Sequence, residues 1–416
     1  MSVSSPSPSP SVAVSAASAS SPTAAAAPTA GGGLAPALVG LLATGAGLGA
    51  ATLYFSQPLL GLMASSLGST PTAVGAVPTL TQLGYALGIL LLAPLGDRWD
   101  RRLLIGGKAV GLALALAWCA LAPGVHALWA AALVAGVLAT LAQDIVPAAA
   151  TLAPDAQRGR VVGQVMTGLL LGILLSRVFS GLLGQWAGWR AVYGVGALLV
   201  LAIGLVCARG LPRMAPVTSL GYGALLASLG SLWRTHGELR RAVWTQGLLS
   251  IAFSAFWSTL AIVLQQRFGL GSAVAGAFGL AGVVGALGAP WAGRWSDRYG
   301  PLRVVRWGAA IVAGSFALLA GGELLPAAWQ LALMVAVTVA FDFGVQVALV
   351  GHQTLVYRLE PAARSRLNAL LLTGMFIGMA LGSALGSQAL AHGGWLGVAG
   401  LCALASASAW GLRRRG

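Results

Sequence analysis

Long apolar segments are the feature that most constrains this chain. A helix needs about 20 predominantly apolar residues to cross the roughly 30 Å hydrocarbon core of a bilayer. Twelve segments of this kind follow one another through most of the sequence, separated by short connections. We therefore predict an all-α polytopic membrane protein with twelve spans, at residues 37–62, 73–95, 103–122, 127–152, 161–186, 190–208, 242–265, 273–294, 303–322, 327–356, 367–390 and 394–412.

The composition excludes a soluble globular fold. Hydrophobic residues make up 57% of the chain and charged residues only 8%, whereas an average soluble domain has about 25% charged residues. The 59 glycines suit close contacts between helices in lipid, because small residues let backbones approach one another. Cys119, Cys207 and Cys402 lie within apolar segments, and we expect them to be buried as small hydrophobic residues.

The net charge of +15 does not predict a nucleic-acid partner. The arginines lie in short clusters between apolar segments, and the sequence has no basic face or basic domain. When the N-terminus is placed in the cytoplasm, nearly all of them fall in cytoplasmic connections, and Arg190 and Arg267 fall on the opposite side. Positive residues concentrate on the cytoplasmic side of a membrane, so both termini are predicted to be cytoplasmic.

Segments outside the spans divide the chain into parts. Residues 1–33 are rich in Ser, Pro and Ala, carry no charge and are predicted to form a disordered tail. The longest internal connection, 209–241, is predicted to be a cytoplasmic linker. It separates an N-terminal six-helix bundle at 34–208 from a C-terminal six-helix bundle at 242–412, which is followed by a basic cytoplasmic tail at 413–416.

The two halves carry similar landmarks in the same order, which indicates a parallel duplication. Repeats of this kind are typical of transporters, whose binding site lies between the repeats. The matched pairs are "GDRWDRR" (96–102) with "SDRYGPLR" (296–303), "DAQRGR" (155–160) with "EPAARSR" (360–366), and the Gly-Trp pairs at 188–189 and 394–395.

The first of these pairs resembles the signature G-x-x-x-D-R-x-G-R-R of the major facilitator superfamily. The resemblance covers about residues 35–412 and implies two six-helix bundles related by a parallel pseudo-two-fold axis. In the first copy Asp97, Arg98, Arg101 and Arg102 match, while Ala93 and Asp100 stand where the pattern has glycine; in the second copy Gly293, Asp297, Arg298 and Gly300 match.

Further stretches, such as "LYFSQPLL" and "TQLGYALGILLLAPLGD", are similar to a bacterial subgroup close to the drug:proton antiporter-1 type. That group usually has an Arg in span 4 and a Gly-Pro motif in span 5, and this chain has neither. The resemblance implies a secondary active transporter in the bacterial inner membrane, which exports a small organic molecule in exchange for protons. The oligomeric state is left open by the sequence, with a monomer as the default expectation. A proton symporter or facilitative importer, and a membrane sensor that does not transport, are the alternatives.

The signature residues are candidates for a cytoplasmic gate. The resemblance implies that these charged contacts hold the halves together on the inner side while the cavity opens outward. The alternative is that the arginines only set the topology; acidic residues contribute little to orientation, so the two aspartates need another reason. The gate candidates are Asp97, Arg98, Arg101, Asp297 and Arg298.

Charges within the spans are candidates for proton coupling. A charge in the hydrocarbon region costs at least ~2.5 kcal/mol, so such residues usually face a polar interior. Asp342, near the middle of span 10, is the best candidate for a group that binds and releases a proton, and Asp144 and Arg177 are further candidates. A structural hydrogen bond to a neighbouring helix is the alternative. Lys108 lies close to the end of span 3, and we expect its side chain to extend to the membrane boundary.

Polar and aromatic residues within the spans are candidates for lining a substrate cavity. In the resembling family, spans 1, 4, 7 and 10 line it. Asp342 and Gln346 are spaced i, i+4 and therefore share one helix face. Hydrogen bonds between helices, or aromatic rings that face lipid, are the alternative. The cavity candidates are Tyr54, Phe55, Gln57, Gln82, Tyr85, Trp257 and Gln346.

The sequence predicts neither an enzyme nor a cofactor or metal site. The four histidines lie in or near connections without the spacing of a metal site or a catalytic triad. A Gly-rich phosphate loop is absent from the sequence, so an ion gradient is the expected source of energy. The expected partners are a small-molecule substrate, protons and the lipid bilayer.

Overall fold

The computed structural model describes residues 34–216, 218, 221–286 and 288–414, and within these residues the regular structure is helical throughout. The predicted tail at 1–33 and the last two residues of the basic tail lie outside the described residues. The all-α fold expected from the apolar segments is therefore confirmed for the described part of the chain.

Eleven segments are long and apolar enough to cross a membrane, and the last of them contains two spans. This segment, Arg364–Arg414, is 51 residues long, and Gly394 divides it with a non-helical backbone (φ 59°, ψ −156°). The prediction of twelve spans is thus confirmed. Spans 1 to 6 are Pro36–Leu67, Pro71–Asp97, Arg101–Leu121, Val125–Leu152, Asp155–Ala187 and Trp189–Gly210; spans 7 to 12 are Gly237–Phe268, Ser272–Tyr299, Pro301–Gly321, Ala327–Tyr357, 364–393 and 395–414.

Matching contacts in the two halves support the parallel repeat. At the start of span 3, the Arg102 Nε–H donates a hydrogen bond to the carbonyl of Ala208 at the end of span 6, with an N···O distance of 2.6 Å. At the start of span 9, Arg306 Nε donates in the same way, also over 2.6 Å, to the carbonyl of Arg413 at the end of span 12. Each half therefore joins its third and sixth helices by the same bond.

The halves contact each other through small residues of spans 2, 5, 8 and 11. The Ser272 hydroxyl donates to the carbonyl of Gly181 at 3.0 Å, and the Ser383 hydroxyl donates to the carbonyl of Gly75 at 3.1 Å. A Cβ atom on Gly181 would lie 2.4 Å from the Ser272 carbonyl oxygen, so a larger residue would separate spans 5 and 8 there. These glycines allow the close approach that helix packing in lipid requires.

A linker helix, Tyr222–Thr235, lies between spans 6 and 7 and contacts both halves. Its leucines at 225, 229 and 232 are buried on one face, and Leu232 packs with residues that begin spans 7 and 11. The Tyr222 hydroxyl donates to the carbonyl of Leu91 in span 2 at 2.8 Å. We call the side of the molecule with this helix the linker side, and the other side the far side.

The two copies of the signature differ at the position where the first has Asp100. The Asp100 carboxylate caps span 3 by accepting the N–H of Arg102 at 3.0 Å, and the same oxygen accepts the N–H of Met214 in the linker at 3.1 Å. The second copy has Gly300 there, with φ 85°, a backbone conformation that favours glycine. Asp100, where the first copy departs from the signature, thus fastens the linker to the first half through its carboxylate.

We expect Asp100→Ala to lower the free energy of unfolding by about 1 kcal/mol, because the helix cap is lost, and to loosen the linker because Met214 loses its acceptor. Limited proteolysis should cut the variant within 211–221 faster than the wild type, and thermal melting should detect the loss of stability. Asp297→Ala, an exposed acid in the matched loop, is the control and should change neither. Equal cleavage rates for Asp100→Ala and wild type would argue against the tether.

Candidate functional site

A cavity of about 220 Å³ lies between the two halves. Its wall is mostly apolar, and spans 1, 2, 4, 5, 7, 8, 10 and 11 contribute to it. The lining residues are Ala50, Leu53, Tyr54, Tyr85, Gln143, Leu169, Leu170, Ile173, Leu174, Arg177, Ser250, Phe253, Gly282, Asp342, Val345, Gln346, Leu349, Leu372, Met375, Phe376 and Met379. A concave apolar site with a few polar groups is the usual form of a small-molecule site.

Arg177 of span 5 lies at the floor of this cavity and is only 2% exposed. Its guanidinium carbon lies 4.2 Å from the centre of the Trp257 ring and 4.6 Å from the centre of the Tyr54 ring, so the cation is held between two aromatic faces. The Nε–H donates to Gln57 Oε1 at 2.8 Å. Among the described residues, Nη2 has no hydrogen-bond acceptor.

Asp342 of span 10 faces the same cavity from the second half and is 7% exposed. One carboxylate oxygen accepts the indole N–H of Trp257 over a long 3.4 Å. Gly282 and Gly285 of span 8 make room for it, since a Cβ atom on Gly282 would lie 2.7 Å from Asp342 Oδ2. None of the seven ion pairs formed by the described residues joins Asp342 to Arg177.

The far side of the cavity is sealed by contacts between the halves. Besides the bond from Ser272 to Gly181, the backbone N–H of Ala273 donates to Gln185 Oε1 at 3.0 Å. Along span 5, which begins on the linker side, the cavity-lining residues within 169–177 come before Gly181 and Gln185. The cavity therefore lies on the linker side of the contact between spans 5 and 8.

The structure places two of the cavity candidates, Tyr54 and Gln346, in the wall of the cavity. Gln57 and Trp257 lie one layer beyond it and contact Arg177, Gln57 by accepting its Nε–H and Trp257 with its ring centre 4.2 Å from the guanidinium carbon. Gln82 is buried at a contact between the halves and accepts the hydroxyl of Ser254 at 3.1 Å.

The remaining aromatic candidates have separate places. Tyr85 lines the cavity, where its hydroxyl accepts the side-chain N–H of Gln143 at 3.0 Å. Phe55 is buried in the core of the first half and packs edge-on against Tyr193.

Sequence reasoning missed several lining residues. Gln143 directly precedes Asp144 in span 4, and a polar residue beside an intramembrane acid was a signal that could have found it. Ser250 and Phe253 share a helix face of span 7 with Trp257, at the spacing that one face requires. Met375 and Met379 of span 11 are apolar, and their pattern does not distinguish them from residues that face lipid.

The structure pairs Asp144 with Lys108, so the expectation that Lys108 extends to the membrane boundary is wrong. Lys108 is 5% exposed, and its Nζ lies 2.6 Å from Asp144 Oδ2. The reason is that span 4 offers a buried carboxylate at the same depth, which compensates the ammonium group inside the bundle. Gly96 contributes the necessary space, because a Cβ atom there would lie 3.0 Å from Asp144 Oδ1.

The gate candidates of the two halves are placed differently. Asp97 accepts from Arg101 at 2.9 Å, and Arg101 also donates to Thr151 of span 4 at 3.3 Å. Asp297 takes no part in any ion pair of the described residues and is exposed. Arg98 and Arg298 are also exposed, the latter over the ring of Tyr299 at 5.2 Å. These gate contacts thus lie within single halves.

The sequence matches the model of one large family of membrane transporters. The pattern of the Major Facilitator Superfamily matches residues 39–351 and 287–415. The chain is 37% identical over 366 residues to the uncharacterized transporter YgaY of Escherichia coli O157:H7, covering 88% of this chain and 92% of that protein. It is 28% identical over 256 residues to a chloramphenicol resistance protein of Streptomyces lividans, covering 59% and 65% of the two chains.

Solved structures show the same fold at low sequence identity. A point mutant of the nucleoside transporter NupG superposes with a TM-score of 0.73 at 15% identity, covering 91% of this chain and 99% of that one. A bacterial homologue of the human lysosomal transporter Spinster, in an inward-facing and unoccupied conformation, gives a TM-score of 0.70 at 16% identity, covering 92% and 95%.

We expect Lys108→Met to be strongly destabilising, by ~3–5 kcal/mol, because Asp144 would remain buried without its counter-ion. The double variant Lys108→Met/Asp144→Leu should recover most of that loss, since neither charge is then left unpaired. Thermal melting of the detergent-purified protein would measure both effects. Arg158→Ala removes an exposed partner of Asp155 and should change the melting temperature little. A double variant no more stable than Lys108→Met would contradict this interpretation.

Proposed function

Because this chain belongs to the major facilitator superfamily, we propose that it transports a small organic solute by alternating access and that the transport is coupled to protons. One observation carries the coupling: Asp342 of the second half and Arg177 of the first half face one cavity at the interface of the halves. Such buried intramembrane charges mark substrate and proton pathways in transporters.

Asp342 is the proposed proton carrier. Its carboxylate can bind a proton that enters through the cavity, and the Trp257 N–H that it accepts connects it to the layer containing Arg177. Protonation removes the negative charge opposite Arg177, which alters the electrostatic attraction between spans of the two halves. A change in this attraction is a means by which proton binding shifts the balance between two arrangements of the halves. Asp144, paired with Lys108, is a second candidate.

The proposed orientation places the linker side in the cytoplasm. The arginine clusters in the sequence support it, because positive residues concentrate on that side. The cavity would then be open inward in this structure. Asp97, Arg98 and Arg101, with Asp297 and Arg298, would close the linker side in the outward-open arrangement, and the small-residue contacts of Gly181 would separate.

Export is the proposed direction, in the inner membrane of a bacterium. Its support is the name of the relative from Streptomyces lividans, a chloramphenicol resistance protein. Exchange of an outward-moving solute for an inward-moving proton fits a cavity in which both bind near Asp342. Import together with a proton is the second candidate, and the missing Arg of span 4 and Gly-Pro of span 5 are the sequence features that favour it.

We expect Asp342→Asn to abolish the dependence of transport on the proton gradient, because the amide cannot carry a proton. The test uses inverted vesicles, an imposed pH gradient and labelled amphipathic antibiotics that include chloramphenicol. Gradient-driven uptake should fall at least about tenfold in the variant, while counterflow exchange without a gradient persists.

Glu323→Gln is the matched control, because it removes an acid outside the spans. Hydrogen bonds from Arg267, over 2.7 and 2.8 Å, hold the pKa of Glu323 below its usual range, so this residue stays ionised in the assay. Its variant should keep gradient-driven uptake. Unchanged gradient-driven uptake in Asp342→Asn would exclude Asp342 as the carrier.

A further inference from the structure

We propose that the cavity selects amphipathic solutes without net charge, which accept a hydrogen bond from Arg177 and donate one to Asp342. This inference deepens the proposed function and rests on the cavity being the transport site. The solute would be a neutral molecule with a donor and an acceptor, or a zwitterion, attached to an apolar body.

The charges of the cavity are balanced. Among the described lining residues, Arg177 and Asp342 are the ionisable groups of opposite charge, one from each half. The other buried intramembrane pair, Lys108 with Asp144, is compensated within the first half. A solute with a net charge would leave one charge in this apolar site without compensation, which is costly. A neutral or zwitterionic solute keeps the balance.

Both charged groups have unused hydrogen-bonding capacity. Arg177 lines the cavity and uses its Nε–H for Gln57; among the described residues neither Nη1 nor Nη2 has an acceptor, and of these two Nη2 is the one shielded from the cavity. Asp342 accepts one bond, from Trp257, and its 3.4 Å length exceeds the usual 2.9–3.0 Å of N–H···O bonds by about half an ångström. An ionised carboxylate can accept several hydrogen bonds. The site therefore offers a donor on span 5 and an acceptor on span 10.

The rest of the wall suits an apolar body. Ile173, Leu349 and Met379 are among the apolar residues that line the cavity around these groups. An apolar cavity of ~150 Å³ is large enough to hold benzene, so the 220 Å³ found here can hold a substituted aromatic ring or an aliphatic chain of similar size. Methionine side chains adapt to different shapes, which permits a range of such bodies.

The same arrangement makes the proton a competitor of the solute. When Asp342 binds a proton, the cavity carries the charge of Arg177 alone. A neutral solute then leaves the charge of Arg177 without compensation, and the hydrogen-bond donor of the solute loses a charged acceptor at Asp342. Solute and proton therefore bind alternately, which is the condition for exchange.

Four probes with the same phenyl body test this selection. They are 3-phenylpropanamide (neutral), phenylalanine (zwitterionic), 3-phenylpropanoate (anionic) and 3-phenylpropylamine (cationic). Binding to the purified full-length protein is measured near neutral pH by calorimetry, without a membrane or a gradient. We expect the amide and phenylalanine to bind at least about tenfold more tightly than the two singly charged probes. A preference for either charged probe, or no binding by any of the four, would overturn the proposal.

Charge variants give the sharper readout. Asp342→Asn leaves a cationic cavity and should shift the preference to 3-phenylpropanoate, whereas Arg177→Gln leaves an anionic cavity and should shift it to 3-phenylpropylamine. Arg177→Lys keeps the charge and should keep the wild-type order. Glu323→Gln makes the same change in net charge outside the cavity and should leave the order unchanged. The same order of affinity in Asp342→Asn as in wild type would reject the proposal.

The outcomes separate this inference from the proposed coupling. If Asp342→Asn switches its preference but retains gradient-driven uptake, the selection stands and Asp342 is not the proton carrier. If Asp342→Asn loses gradient-driven uptake but keeps the wild-type order, the coupling stands and the selection is wrong. If Arg177→Gln does not elute as a folded monodisperse protein, the Asp342→Asn and Arg177→Lys results still decide.

Discussion

The indole ring of Trp257 holds the centre of this molecule together. One face lies against the guanidinium group of Arg177, and the ring N–H points to Asp342. The ring of Tyr54 makes a second aromatic contact with the guanidinium group, and Gln57 accepts the Nε–H of Arg177. Four spans, two from each half, thus meet around a single buried cation. Because an unpaired charge in this setting is costly, the arrangement of these spans depends on where the compensating negative charge lies.

The two halves handle buried charge differently, although they share one architecture. The first half balances Lys108 against Asp144 within itself, whereas the second half has Val312 and Ala348 at the positions 204 residues further on. The cavity charges are divided instead, with Arg177 from the first half and Asp342 from the second. Balance at the cavity therefore requires both halves, which makes it sensitive to their relative motion.

Much of this could be predicted from the sequence, since the bilayer imposes length and apolar composition on every span. The division at Gly394 followed from the Gly-Trp repeat, and the buried acid at Asp342 from its position within a span. The pairing of Lys108 was not predictable, because it depends on how spans 3 and 4 are rotated about their axes. For the same reason Gln57 and Trp257 were assigned to the cavity, although they lie one layer beyond its lining residues. A hydrophobic pattern does not show how far a side chain lies from the cavity once it is buried between helices.

The tether at Asp100 has a mechanical consequence. The linker is fastened to the first half at Met214 and again at Tyr222, which donates to the carbonyl of Leu91. Its helix contacts the second half at Leu232. Leu232 follows Tyr222 by ten helical residues, which at 1.5 Å per residue span about 15 Å. This helix is a connection of fixed length between the two halves. While both of its contacts hold, it sets an upper limit on the distance between the linker-side ends of the two bundles.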